Sequence, residues 1–299
     1  MLMKKIFLFF LVLLTVFQMK ATGQSGDIIY LEGEEWVLMA KPIAHDSLLR
    51  VHVWEFLPEN RTFSTGNWSG YTAFWEVSDG YIYLRRMEVA VYDKVSKKES
   101  PMMYEVNDLQ KPFASYFKEG KIQATWFSGE LRAGKGKVVK YVHDGFERNM
   151  ETECVLTILN GKVLNTKTYH NYRKDGLDFI KAKEEMVSRF PWEQFPEYRG
   201  QRIIFRIRNC QLTADGHFVD CDVHSIHLRS LQEDRINDEN NHLALAFKET
   251  LKSIYPWEVF FINGKYTNGH RDWFIPLQEK DINTLPDKKD SALGTTAGK

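Results

Sequence analysis

Apolar and polar positions alternate with a period of two along most of residues 27–172, and that period predicts strands. The runs are Glu35–Ala40, Leu48–Phe56, Tyr71–Val77, Tyr81–Val91, Ile122–Phe127, Lys137–Val142 and Val155–Leu159. Turn signals separate them at Gly66-Asn67, Asp79-Gly80, Glu119-Gly120, Ala133-Gly134, Asp144-Gly145 and Asn160-Gly161. Short strands at this spacing predict an antiparallel sheet, sandwich or open barrel over residues 27–175. Asp79-Gly80 and Asn160-Gly161 read as two-residue hairpin turns, which need the positive φ that glycine tolerates.

The period then changes. Gly176–Arg189 reads as a helix with Leu177, Ile180, Met186 and Val187 as its apolar points, and Pro191 and Pro196 punctuate the chain after it. Residues 176–197 are thus expected to be a helical, proline-containing linker. Beyond it, Ile203, Phe205 and Ile207 alternate with polar neighbours, as do Val219, Cys221 and Val223, with Asp215-Gly216 as a two-residue loop between them. Asn237 or Asp238 is placed to cap a helix whose stripe is Leu243, Phe247, Leu251 and Ile254. Pro256 ends that helix. Trp257–Ile262 is a strand, Asn263-Gly264 turns it, and Trp273–Leu277 closes the unit, with Pro276 marking an edge. The whole is an α+β chain: an antiparallel β domain at 27–175 and a small ββαββ domain at 198–278.

The two ends read differently. Lys4 and Lys5 precede Ile6–Phe17, an apolar run broken only by Thr15, and Ala21-Thr22-Gly23 offers a cleavage site before Gln24. Residues 1–23 are expected to be a secretory signal. The run of twelve residues would span about 18 Å, short of a ~30 Å hydrocarbon core. The mature chain is expected to carry no transmembrane span, and the protein to be exported, to the periplasm or in association with an outer membrane. Residues 280–299 are rich in Asp, Lys, Ser, Thr and Gly and are expected to be a disordered tail.

Charge and composition narrow the function classes. Without residues 1–23 the chain holds 37 basic and 40 acidic residues, and no basic patch stands out, which argues against nucleic acid as a partner. Aromatic residues make up 14% of the chain, which fits a β-rich core, or glycan- or peptide-binding grooves lined by aromatics. There are three cysteines. Export permits a disulfide, and Cys210 and Cys221 lie symmetrically about Asp215-Gly216, so they are a candidate bridge, with two free buried thiols as the alternative. Cys154 reads as a core residue.

Candidate chemistry is sparse. Asp220, Cys221, Asp222, His224 and His227 can each bind metal, but 221, 224 and 227 alternate faces on a strand and do not converge. His270-Arg271-Asp272 lacks the companions of a kinase loop, and Gly134-Lys135-Gly136-Lys137 lacks phosphate-loop spacing and reads as an exposed basic turn. Glu76 and Glu130 lie near Trp75 and Trp126, so a hydrolase with paired carboxylates is a distant alternative. Trp36, Trp54, Trp68, Trp75 and Trp126 could line a sugar-binding platform, but Trp75 and Trp126 sit within apolar runs and read as core. Trp68, in the loop Thr65–Gly70, is the candidate ligand contact. No catalytic residue, metal site or cofactor is assigned.

One ordered set of residues is more specific. After the apolar strand with Phe205 and Ile207 come Asp215-Gly216, a strand with Val219 and Val223, and a helix ending at Pro256-Trp257. Asn263-Gly264-Lys265 and Ile275-Pro276-Leu277 follow. Trp257 and Asn263 are six residues apart. This order over residues 200–278 resembles the C-terminal domain of TonB energy transducers. The resemblance implies a non-catalytic module that recognises a protein partner by strand pairing. It departs from the family at Val259-Phe260, where Pro-Gly is usual, and in lacking a retained inner-membrane helix and a proline-rich spacer. It therefore implies the fold and the pairing mode but not energy transduction. The expected function is an exported, non-catalytic envelope protein that binds a protein partner at a free edge near Ile203–Arg208 or Trp273–Leu277. The alternative is glycan binding by aromatics of the N-terminal domain around Trp68.

Overall fold

A computed structural model describes residues 23–142, 145–229, 233–238, 240–267 and 272–279. The expected signal segment before Gly23, Asp144 of one expected turn, His270-Arg271 and the expected tail lie outside the described residues. The chain is a strand-rich α+β protein. It divides into two compact units after Asn171.

Unit 1 is built on one ten-stranded sheet. Its strands are β1 (Asp27–Leu31), β2 (Glu34–Leu38), β3 (Thr72–Ser78), β4 (Tyr81–Asp93), β5 (Lys98–Glu105), β6 (Phe117–Lys118), β7 (Lys121–Gln123), β8 (Gly129–Tyr141), β9 (Arg148–Leu159) and β10 (Lys162–His170). The order is β10-β9-β8-β2-β1-β3-β4-β7-β6, with β5 also on β4. Asp79-Gly80 and Asn160-Gly161 both take positive φ and turn β3 into β4 and β9 into β10. Two pairings break the hairpin pattern. β1 runs parallel to β3, with Ile29 opposite Trp75. β10 reaches back to β4 at Lys162 and Tyr81, so seven strands form a closed circuit. The inward faces bury Ile29, Leu38, Trp75, Leu84, Leu131 and Leu156, among others.

Several expectations change here. Leu48–Phe56, read as a strand from its Val and Trp content, is a helix, α1 (Ser47–Phe56). Asp46 caps it by accepting from the amides of Leu48 and Leu49, and Leu49 and Val53 fall on its buried face. Ala133-Gly134 is not a turn, and Gly134–Lys137 is not a basic loop: the segment lies inside β8, where Gly136 takes positive φ at a bulge and the Lys137 amide donates to Glu151. Ile122–Phe127 is a strand only at its start, in β7.

Unit 2 begins earlier than expected. β11 (Tyr172–Lys174) pairs with β15 (Val259–Ile262), which turns through Asn263-Gly264 into β16 (Lys265–Thr267). A second sheet has the order β14-β13-β12-β17, from β12 (Ile203–Leu212), β13 (Phe218–Arg229), β14 (Glu233–Ile236) and β17 (Asp272–Leu277). Residues 176–197 are not a linker. Phe179, Met186, Phe190, Trp192 and Phe195 belong to the buried core of this unit, and the helix is only α2 (Lys183–Arg189), with Ile180 outside it and 72% exposed. α3 (His242–Lys252) carries the stripe Leu243, Phe247 and Leu251 into the same core, and its cap is Asn241, not Asn237 or Asp238.

The β12–β13 hairpin also differs. Its loop is the three residues Ala214–Gly216, closed by Thr213 and His217: the Gly216 amide donates to the Thr213 carbonyl, so Ala214-Asp215 form the turn and Gly216, at φ +98°, follows it. The strands shift register on either side of Gln211, with Asn209 at φ +49°. Phe218 rather than Val219 therefore points inward.

Candidate functional site

The residues of the TonB-like pattern sit at structural joints of unit 2. Trp257 is buried, and its indole Nε1–H donates to the Leu251 carbonyl (3.1 Å) near the end of α3. Its ring lies 5.1 Å from Phe179 and 5.9 Å from Phe218. Its amide donates to the Gly216 carbonyl (2.9 Å). A Cβ on Gly216 would lie 2.6 Å from the Trp257 carbonyl oxygen, and one on Gly176 would fall inside contact with the Trp257 backbone. Two glycines thus let two chain segments close on Trp257. Leu177 donates to the Pro256 carbonyl, which joins the expected linker to this same joint. Asn263 and Gly264 take φ +53° and +74° and form the two-residue turn that sets Lys265 at the start of β16. Ile275 and Leu277 are buried, and Pro276 stands opposite Ile204.

Of the two expected edges, Ile203–Arg208 is not one. β12 lies between β13 and β17 and is paired on both sides. β17 pairs with β12 alone among the described residues. In an antiparallel ladder alternate residues turn their N–H and C=O groups away from the partner, so β17 presents a row of outward backbone groups. Pro276 fits that position, since it has no amide to donate. Trp273 is half-buried, 5.6 Å from Phe179, whereas Phe274 is 57% exposed, with the Arg206 guanidinium 5.3 Å from its ring.

Cys210, Cys221 and Cys154 are free, buried thiols, so the bridge considered between Cys210 and Cys221 is not formed. The bulged register still brings Cys210 beside Cys221. Their hydrogen bond, then burial, pushes the Cys221 thiol well above its ordinary range, and burial pushes Cys154 up as well. β13 buries Cys221 and turns Asp222 and His224 outward.

In unit 1 the expected ligand contact, Trp68, is 60% exposed on a loop tied down by Gln24: Gln24 Nε2 donates to the Thr65 carbonyl (2.9 Å), and the Trp68 amide donates to Gln24 Oε1 (3.4 Å). Trp75 is fully buried and Trp126 half-buried, in the core as expected. Glu76 lies 3.5 Å from Arg85 on β3, and Glu130 is exposed on β8. β1 and β2 stand between those strands, so the two carboxylates do not lie on neighbouring strands.

Two other groupings join residues that no local spacing brings together. One is a buried ion pair. The carboxylate of Asp27 accepts from Lys41 Nζ (2.8 Å), Trp75 Nε1 (3.0 Å) and the Ala73 amide (3.1 Å), and Lys41 Nζ also donates to the Tyr71 carbonyl (2.8 Å). Burial pushes the Asp27 carboxyl up and Lys41 pulls against it. All these partners come from within the unit, so the cluster reads as structural. The other is an aromatic surface at the end of α1. Trp54 and Phe63 stack at 5.4 Å and 30°, and the Arg61 guanidinium lies 4.0 Å from the Trp54 ring and 5.1 Å from Phe63. Concavities of about 410 and 280 Å³ lie on either side and share Phe63.

No protein-family model, curated protein or solved structure matches the chain. Function has to be argued from these surfaces alone.

Proposed function

We propose that this chain is an exported, non-catalytic binding protein of the cell envelope whose C-terminal unit takes a protein partner as an added strand along β17. The pairing of β17 with β12 alone among the described residues is the observation that carries this reading. The ordered TonB-like pattern supports it, since that pattern ends on this strand at Ile275-Pro276-Leu277. The N-terminal pattern of Lys4-Lys5, apolar run and Ala21-Thr22-Gly23 supports export.

The outward-facing residues of β17 each offer one N–H and one C=O, less the amide that Pro276 lacks, so strand addition offers about five backbone hydrogen bonds. At about 1 kcal/mol net each they reach about 5 kcal/mol, on the order of millimolar binding at ~4.1 kcal/mol and comparable to the cost of about 4–15 kcal/mol for the freedom lost on association. Side chains must supply the rest. Phe274, with Arg206 beside it, is the exposed anchor on that strand.

Photo-crosslinking in intact cells tests the proposal. A benzophenone amino acid at Phe274 of the full chain is expected to yield one discrete adduct. The same group at Val219, exposed on β13, is expected to yield none of that mass. Equal adducts from both positions, or none from either, would reject the proposal.

A further inference from the structure

The aromatic surface of unit 1 has the makings of a second, independent binding site. Trp54 stands on the last turns of α1, and Phe63 lies beyond the turn after it. Arg61 fixes that turn. Its Nη1 donates to the carbonyls of Leu57 (3.2 Å) and Pro58 (2.8 Å), and its backbone bridges to Val91 of β4. The Thr62 amide donates to the Ala90 carbonyl (2.8 Å). Arg61 itself is buried, yet Trp54 and Phe63 keep 50% and 49% of their surface open. Two aromatic rings are therefore held in place by a buried cation and anchored to the sheet, while half of each stays in solvent. Rigid, exposed and flat aromatic area is costly to leave wet and adds little ordering entropy when covered.

The surrounding charge selects the ligand. Glu55 and Glu59 line the 410 Å³ concavity with the two rings, and Glu88 and Glu99 line the neighbouring one. An anion would meet these carboxylates, while the guanidinium that could attract it is buried, with Nη1 on two carbonyls and Nε enclosed out of reach. A cation would seek the ring faces, but Arg61 already occupies the cation–π position at both rings and repels a second positive charge. What fits both constraints is a neutral ligand with an apolar C–H face and a fringe of hydroxyl donors. The C–H face packs on Trp54 and Phe63 by dispersion, and the hydroxyls donate to Glu55 and Glu59. The concavity falls within the usual ligand-site range of about 300–1,000 Å³. A second copy of this chain is disfavoured, because it would set one carboxylate rim against another.

The geometry points to a binding site for neutral saccharides at Trp54, Phe63, Glu55 and Glu59. It does not depend on the strand-pairing proposal, and it uses Trp54 and Phe63 rather than Trp68 as the platform.

Affinity electrophoresis of the full mature chain tests it, in native gels containing hydroxyethylcellulose, dextran or glucomannan. At least one of these is expected to retard the protein. Trp54→Ala and Phe63→Ala are each expected to weaken that retardation about tenfold. Glu59→Gln, which keeps shape and removes charge, is expected to weaken it severalfold, and it keeps the test decisive if either aromatic variant misfolds. Leu48→Ala, on an exposed residue in the first turn of α1, is expected to change nothing. Three results would overturn the assignment: no retardation in any neutral polysaccharide, retardation indifferent to Trp54→Ala and Glu59→Gln, or equal loss in Leu48→Ala. The last would show that the loss belongs to α1 as a whole and not to the Trp54–Phe63 surface.

Discussion

Each unit buries a tryptophan whose indole N–H is hydrogen-bonded, and the two are used in opposite ways. Trp75 of unit 1 donates to a carboxylate, Asp27, which in turn holds the Lys41 ammonium. Trp257 of unit 2 donates to a backbone carbonyl near the end of a helix, between two glycines that let the chain close on it. Unit 1 is thus pinned by a desolvated ion pair and unit 2 by a neutral joint. The first is fragile to removal of one charge, the second to loss of volume and of a single hydrogen bond.

The largest expected effect tests the first half of that comparison. Asp27→Ala leaves Lys41 buried without its counter-charge and strips the Trp75 and Ala73 N–H groups of their acceptor, so unit 1 should lose about 3–5 kcal/mol. Urea unfolding of the full chain, with hydrogen exchange read separately in each unit, checks this. A loss confined below about 1 kcal/mol would mean that the pair is not desolvated as described. Trp257→Phe tests the second half. It keeps most of the ring and removes the donor to Leu251, and should cost unit 2 about 1–3 kcal/mol while leaving unit 1 unchanged.

A smaller effect concerns α1. Asp46 accepts from the Leu49 and Leu48 amides and from the Tyr116 hydroxyl, and the Leu49 amide foremost holds its carboxyl below the ordinary value. Asp46→Ala should cost about 1 kcal/mol at neutral pH. Because the folded carboxyl titrates below the unfolded one, the contribution is present above about pH 4 and fades as pH falls through the folded value. Wild type and variant should therefore converge in stability in acid, as melting curves across pH 2–7 would reveal (a range set by ~pH 4 for the unfolded group).

The smallest effect leaves stability untouched. Cys154 and Cys221 are held as thiols by burial and, at Cys221, by Cys210. Iodoacetamide near pH 8 should leave the native chain unlabelled at these positions and label both once urea unfolds it, as mass spectrometry of the peptides would show.

How much of the fold could be read from the sequence depended on range. Asp79-Gly80, Asn160-Gly161 and Asn263-Gly264 encode their turns within two residues, and all three adopt the positive φ expected. α1 was hidden because Val51, Val53 and Trp54 favour strands, while the deciding Asp46 cap is a single residue. The parallel β1–β3 pairing and the β10–β4 closure join segments with no local signal. Pro191 and Pro196 suggested a linker, but Phe179, Phe190, Trp192 and Phe195 between and around them are core aromatics. For the candidate sites, the pattern from Pro256 to Pro276 placed a closing strand where β17 forms, and most of its residues hold the fold. Trp54 is among the tryptophans able to line a sugar-binding platform, but its pairing with Phe63 has no local signal, because the two meet only through the turn that Arg61 fixes.

Hydrogen–deuterium exchange of the full chain, alone and after mixing with solubilised envelope, tests the central claim most directly. With β17 paired only to β12 among the described residues, its outward-facing amides should exchange quickly in the isolated chain while those of β12 stay protected, and the fast set should slow once the partner is added. Amides of 272–277 already as protected as β12 in isolation, or unchanged after mixing, would contradict strand addition at this edge.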